Sequence, residues 1–426
     1  MRVLHVIKEV TDGGASMGLL RMCADGPGDA RPTVVSLLPP RPAHRAVFER
    51  AGVTVLAGKE AARAAVAETD LVQVEWWNNP HVNDFLVNAD LPPTRVLLHS
   101  RGHFDAPWMC PSDRLLARVD GCTVTTPSAA ANPRFESNRR SAGLPPARCV
   151  FSSAGPVATA GPGPAPVRHP AGREERRITV GYLGTVEPIK MHAAMMEIAA
   201  GVVEAAPEVD FVFAGDGALS EYRAEARRLG IGDRVRFLGF QDDPAAFLAG
   251  LDVFCYPLNP YTYATSEKAL QEAMLAGLPC VALPVGGIRD LLTAESALLV
   301  ETPAQCVDAC LSLVRSPALR ERLGRAARER IERLTERRAW RGRLTEARAE
   351  VLARPARARS ALGVDRVALF DHCTDRRGWE TDRMDEAQRA DFARVAAFVE
   401  DDYAAWLESG PPRPDMPAVR AERISS

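Results

Sequence analysis

The chain has 426 residues, enough for two to three domains with sizeable cores. Lys and Arg number 53 against 55 Asp and Glu, a formal net charge of −2, so no global basic field points to nucleic acid or an acidic lipid surface. The nine cysteines form no Cys-x-x-Cys pair, the apolar run at the N-terminus is too short for a signal peptide, and no stretch approaches the ~20 apolar residues of a membrane helix. A cytoplasmic protein without stable membrane insertion is expected.

Short apolar strands alternate with amphipathic helices. In residues 1–155 strands are predicted at 3–7, 33–38, 53–56, 71–75, 95–99 and 121–125, with helices at 15–23 and 45–51 between them. The stretch VEWWNNPHVN (74–83) leaves a strand end with two tryptophans and two asparagines. Alternation predicts that one of Trp76 and Trp77 faces a cleft and the other the core, with Asn78 and Asn79 orienting a small polar acceptor beside the exposed indole. Residues 156–177 are dense in Pro, Gly and Ala and read as a linker. The alternation resumes over 178–316, with strands at 178–183, 209–214, 235–238, 253–256, 279–283 and 297–300. Such a pattern predicts two doubly wound, Rossmann-like parallel-sheet domains facing across a cleft. An Arg/Glu-rich helical segment follows (317–354), then a C-terminal extension (355–426) with one helix at 385–407. That helix carries the stripe Phe392, Val395, Ala396, Val399, Tyr403, Trp406 and Leu407, which should dock on the chain's own body or on a second protomer in a homo-oligomer.

Three turns of the second half carry chemistry. GYLGTVEPIKMH (181–192) puts Gly184 at a strand end and Lys190 near the next helix; FAGDGALSEY (213–222) sets Gly215 and Gly217 around Asp216. YATSEKALQEAM (263–274) opens a helix with Thr265 or Ser266 as its N-cap. Backbone amides and the dipole at that helix start would seat a diphosphate, and a neighbouring lysine would balance its charge.

The motifs GYLGTVEPIK, FVFAGDGALSEY, DRVRFLGFQDDPAAFLAGLDVFCYPL and EKALQEAMLAGLPCVALPVGGIRDLL resemble the donor-binding domain of retaining glycosyltransferases of family 4, which have the two-domain GT-B fold. The resemblance covers roughly residues 1–350, more loosely in the first half through MRVLHVIKEVTDGGASMGLLRM and PTRVLLHS. It implies a donor site formed by Gly13, Gly14, Thr185, Lys190, Gly215, Asp216, Gly217, Phe240, Thr265, Ser266, Glu267, Lys268 and Glu272. Within it, Glu272 matches the carboxylate that binds the donor's ribose, and His99 and Lys190 would act at the reacting centre, His99 as the histidine touching the sugar. Arg101 and His103 extend the acceptor side. Two positions depart from the family pattern: Ala264 replaces its first glutamate, and Thr185 its arginine.

The function implied is transfer of a sugar from a nucleotide-diphosphate sugar to a small polar acceptor with retention, without cofactor or required metal. The Ala/Arg/Gly/Pro bias suits high-GC bacteria, where such enzymes build natural products and antibiotics; a small thiol acceptor, as in lincosamide pathways, is one expectation. A nucleotide-sugar epimerase and a non-catalytic nucleotide-sugar-binding subunit are the alternatives.

Overall fold

A computed structural model describes residues 1–11, 13–25, 32–151, 177–262, 265–375 and 384–408. The expected linker up to residue 176, Ala264 and residues 409–426 lie outside the described residues.

Strands that read as continuous apolar runs are buried on both faces, as parallel strands covered by helices must be. In the N-terminal half seven strands form one sheet in the order Thr54–Ala57, Thr33–Ser36, Val3–Ile7, Leu71–Trp76, Val96–Ser100, Gly121–Val124, Arg148–Cys149. Every pairing in it is parallel. The second sheet has six parallel strands in the order Val235–Phe237, Val209–Ala214, Ile178–Leu183, Val253–Tyr256, Cys280–Ala282, Ala297–Leu299. In each sheet the first strand of the half sits centrally, where the winding reverses, and that is where an open α/β sheet places its crevice.

The segment 317–354 divides in two. Helix Pro317–Leu334 packs on the donor half through Leu323, Ala327 and Ile331. Helix Arg337–Leu352 returns to the N-terminal half, where Val351 joins Val3, Leu71 and Leu97. The extension then adds an unforeseen strand, Arg357–Arg359, antiparallel to the proline-bearing Leu91–Thr94. Its final helix, Glu386–Glu408, buries Val395, Val399, Tyr403 and Trp406 against the chain's own body. These four residues of the stripe dock within one chain, where both halves present apolar surface to them.

Candidate active site

The glycine turns of the donor half are built by close approach. Gly184 follows strand Ile178–Leu183, and the 215–217 turn follows the neighbouring strand Val209–Ala214. The turns are laced by Gly184 N–H to Ala214 O (2.9 Å), Val186 N–H to Asp216 O (2.8 Å) and Ala218 N–H to Val186 O (2.9 Å). At Gly215 φ is +136°, and a Cβ would lie 1.9 Å from the Gly184 carbonyl oxygen, so only glycine lets the turns lie this near. Asp216 Oδ1 accepts from Phe240 N–H (3.0 Å), which fixes a third turn, and Phe240 as a residue is 53% exposed.

Lys190 lies over these turns. Its Nζ is 3.5 Å from the position a Cβ on Gly184 would occupy and 3.5 Å from Glu267 Oε2, with its side chain 17% exposed. The loop carrying it is held by Asn259, whose Nδ2 donates to Pro188 O (2.7 Å) and whose N–H donates to Lys190 O (2.8 Å).

Helix Lys268–Leu275 starts one or two residues later than the expected caps at Ser266 or Thr265 imply. Neither Thr265 nor Ser266 caps it: Thr265 Oγ1 donates to Arg101 O across the cleft (3.0 Å), and Ser266 O accepts from the Gln271 side chain. The flanking residue is Glu267, at φ +29°, whose buried carboxylate turns inward to accept from Tyr256 Oη (2.6 Å). A positive φ outside glycine stores of the order of 1–3 kcal/mol, and such strain gathers at functional sites. One turn on, Glu272 Oε1 lies 3.3 Å from Lys268 Nζ. Burial raises the Glu272 carboxyl above its ordinary value, with Lys268 opposing. Gly14 of the N-terminal half abuts this helix start, since a Cβ there would be 3.8 Å from Lys268 Cβ, and Gly13 stands exposed beside it. Thr185 contributes its carbonyl to Tyr182 Oη (3.0 Å).

The N-terminal half departs from expectation. Glu75 and His99 are opposite one another in adjacent strands and fully buried. Arg101 donates from Nε to Glu75 Oε2 (2.8 Å), Gln73 donates to Glu75 Oε1 (2.8 Å), and Arg348, from the returning helix, donates to Gln73 Oε1 (3.0 Å). Burial alone would raise the Glu75 carboxyl, but Arg101, His99 and His5 hold it well below the usual carboxylate range. Burial pushes the His99 imidazole down to about 4, with Glu75 opposing and Arg101 reinforcing. His99 Nδ1 is 2.8 Å from Thr123 Oγ1, and no part of the ring is exposed, so in this arrangement His99 touches the buried network and not an open sugar subsite.

The acceptor set is corrected on the same grounds. Trp76 is the core indole, fully buried, with Nε1 donating to Asn83 Oδ1 (2.8 Å). Asn79 is a helix N-cap: Oδ1 accepts from Val82 N–H (3.0 Å) and Nδ2 donates to Trp77 O (2.9 Å), which occupies both ends of its amide. Asn78 Oδ1 accepts from Tyr403 Oη (2.7 Å) of the extension. Trp77 is half-buried beside the apolar group of Ile7, Val10 and Leu19 and keeps some exposure. Arg101 is committed to Glu75. His103 joins the halves: Nε2 donates to Thr262 O (2.6 Å), while Nδ1 accepts from Asp105 N–H (3.2 Å). Asp105 also pairs with Arg289, and Ser128 with Asp290, across the same seam.

Sequence reasoning missed Glu75, Asn83, Tyr256 and Arg348, and missed the side-chain role of Glu267. The sequence signals available were the Asn-Pro pair at 79–80, a regular helix opening, and a lone acid inside an apolar strand at Glu75.

A two-sheet α/β chain with a cation, glycine turns and a helix start converging at the carboxyl ends of the second sheet has the architecture of GT-B glycosyltransferases. Residues 177–316 match the family described as Glycosyl transferases group 1, and this segment is a domain of that family. The chain is 33% identical over 162 residues to phosphatidyl-myo-inositol mannosyltransferase of Mycobacterium leprae, an alignment covering 36% of this chain and 42% of that one. It is 32% identical over 185 residues to D-inositol 3-phosphate glycosyltransferase of Kribbella flavida, covering 39% and 42%. The matched part thus spans less than half the length of these relatives. Among solved structures, HepE (Alr3699) of Anabaena in complex with UDP superimposes with a TM-score of 0.62 at 16% identity, covering 82% of this chain and 100% of that one. No described helix is long and apolar enough to cross a membrane.

Proposed function

We propose that the chain is a retaining, metal-independent glycosyltransferase that moves a sugar from a nucleoside-diphosphate sugar to a small polar acceptor. The observation that carries this reading is the partly exposed Lys190 ammonium held between the Gly184 turn and the start of helix Lys268–Leu275. As the diphosphate leaves, negative charge builds on its oxygens while the sugar gains oxocarbenium character. A fixed cation and backbone amides aimed at those oxygens stabilise that state more than the ground state.

Two further features support a nucleotide sugar. The Glu272 side chain is only 20% exposed, so ribose hydroxyls would supply hydrogen bonds that water largely does not. The exposed Phe240 ring offers a face for a nucleobase beside the turns. On the acceptor side Trp77 remains, since the other expected acceptor residues are committed within the protein. The two relatives described above are each named for an inositol compound, which favours a hydroxyl-bearing acceptor over a thiol. Natural-product assembly is the setting we propose.

Incubation with UDP-, GDP-, ADP- and dTDP-sugars, with and without inositol and inositol phosphates, tests this. Product analysis by NMR is expected to show glycoside with retained configuration, and activity should persist in EDTA. A donor altered alone would indicate an epimerase, and no turnover with tight donor binding a binding subunit. Loss in EDTA with rescue by Mg²⁺ would overturn metal independence.

A further inference from the structure

The extension beyond residue 355 lies outside the glycosyltransferase match, yet its last helix reaches the site. One apolar cluster joins three parts of the chain. Ile189 comes from the donor half, Ala106, Trp108 and Met109 from the N-terminal half, and Phe370, Val395, Val399 and Tyr403 from the extension, with donor-half Tyr261 and the extension's Phe392 packed against it. Phe392 stands between the halves. Its ring centroid is 4.8 Å from that of Trp108 and 5.4 Å, edge-on, from that of Tyr261. Ile189 directly precedes Lys190, and the loop bearing Tyr261 is the one stitched by Asn259 to Pro188 O and Lys190 O. Tyr403, three turns along the helix, accepts from Asn83 Nδ2 (2.5 Å) and donates to Asn78 Oδ1, anchoring the far end on the N-terminal half. At 23 residues and about 1.5 Å per residue the helix is long enough to span both halves.

We propose that helix Glu386–Glu408 is a positioning element for Lys190, with Phe392 and Val395 clamping the lysine loop against the N-terminal half. This rests on the reading of Lys190 as the diphosphate cation. A lysine stem has several free torsions, and Thr185 on the same loop carries no charge to share its task. Fixing the loop backbone from outside holds the one charge on target. The extension acts through Ile189 and Asn259 and touches no substrate.

The test is a double-mutant cycle on the full chain, read as the Kd for UDP by calorimetry, with GDP, ADP and dTDP as further probes. Phe392→Ala is expected to weaken binding about tenfold, the size of coupling seen between residues sharing one packed element. In a Lys190→Ala background it should weaken binding no further, and Phe392→Tyr, which keeps the ring, should restore wild-type affinity. Val395→Ala serves as a milder truncation should Phe392→Ala fail to fold, with the same non-additivity expected. Equal losses in both backgrounds, or no loss in either variant, would overturn the inference while leaving the donor site intact. If wild type binds none of the four nucleotides, the donor-site reading falls and takes this one with it.

Discussion

The two halves each hold a carboxylate–cation pair at the cleft ends of their central strands, and the pairs behave differently. Glu75 and Arg101 meet at 2.7 Å, with the glutamate unexposed and the arginine nearly so. Glu267 and Lys190 stand 3.5 Å apart, and the lysine keeps some contact with solvent. A close pair sealed on all sides is structure, because neither member can change partner without stranding a charge in the interior. A looser pair with an accessible cation can trade its partner for a phosphate. Burial of both members, rather than the presence of opposite charges, separates the scaffold pair from the pair proposed to bind donor.

The largest effect expected is on the sealed pair. Glu75→Leu leaves Arg101 buried without its counter-ion and should cost about 3–5 kcal/mol of stability in urea unfolding. An unchanged unfolding midpoint would place Glu75 outside the scaffold. Next comes the open pair. Lys190→Ala should lose roughly 2–4 kcal/mol of transition-state stabilisation in kcat/KM, by comparison with removing one oxyanion donor, while the melting temperature stays near wild type. Near-normal turnover would dissolve the contrast between the pairs.

Acid sharpens the comparison. His99 is held near 4 in the fold against 6.5 when exposed, so the unfolded chain binds the extra proton first. Stability is then unaffected above pH 6.5 and falls progressively as pH drops towards 4, by about 2–3 kcal/mol. Glu75, whose carboxyl is depressed, adds its own loss below the ordinary carboxylate range. His99→Gln should flatten the slope between pH 6.5 and 4, and an equally steep slope in that variant would assign the loss elsewhere. The smallest effect belongs to Asn79. As an N-cap it should cost ~1 kcal/mol on replacement by alanine, with acceptor KM unchanged. A raised acceptor KM without a stability loss would return Asn79 to the acceptor site.

The same contrast explains what could be read in advance. Parallel strands buried on both faces write themselves as apolar runs, so Val3–Ile7, Ile178–Leu183, Val209–Ala214 and Val253–Tyr256 were predictable residue by residue. The glycine turns were equally plain, since Gly184 and Gly215 each directly follow an apolar strand and Gly217 comes two residues after Gly215. What the chain order hides is which polar groups meet. Arg348 reaches Gln73 over 275 positions, and Tyr403 reaches Asn83 over 320, neither with any local trace. Leu91–Thr94 was obscured because its prolines argue against a strand, and it survives only as an edge pairing with Arg357–Arg359. The asparagines at 78 and 79 suggested a ligand site because polar residues at a strand end suit either role, and only the contact partners decide between them.

Hydrogen–deuterium exchange of the full chain with and without saturating UDP, repeated with GDP, ADP and dTDP, tests the location of the donor site most directly. The account predicts protection at 184–190, 215–217, 238–241 and 265–272, with residues 74–83 unchanged. Protection confined to the N-terminal half, or absent with every nucleotide, would contradict it.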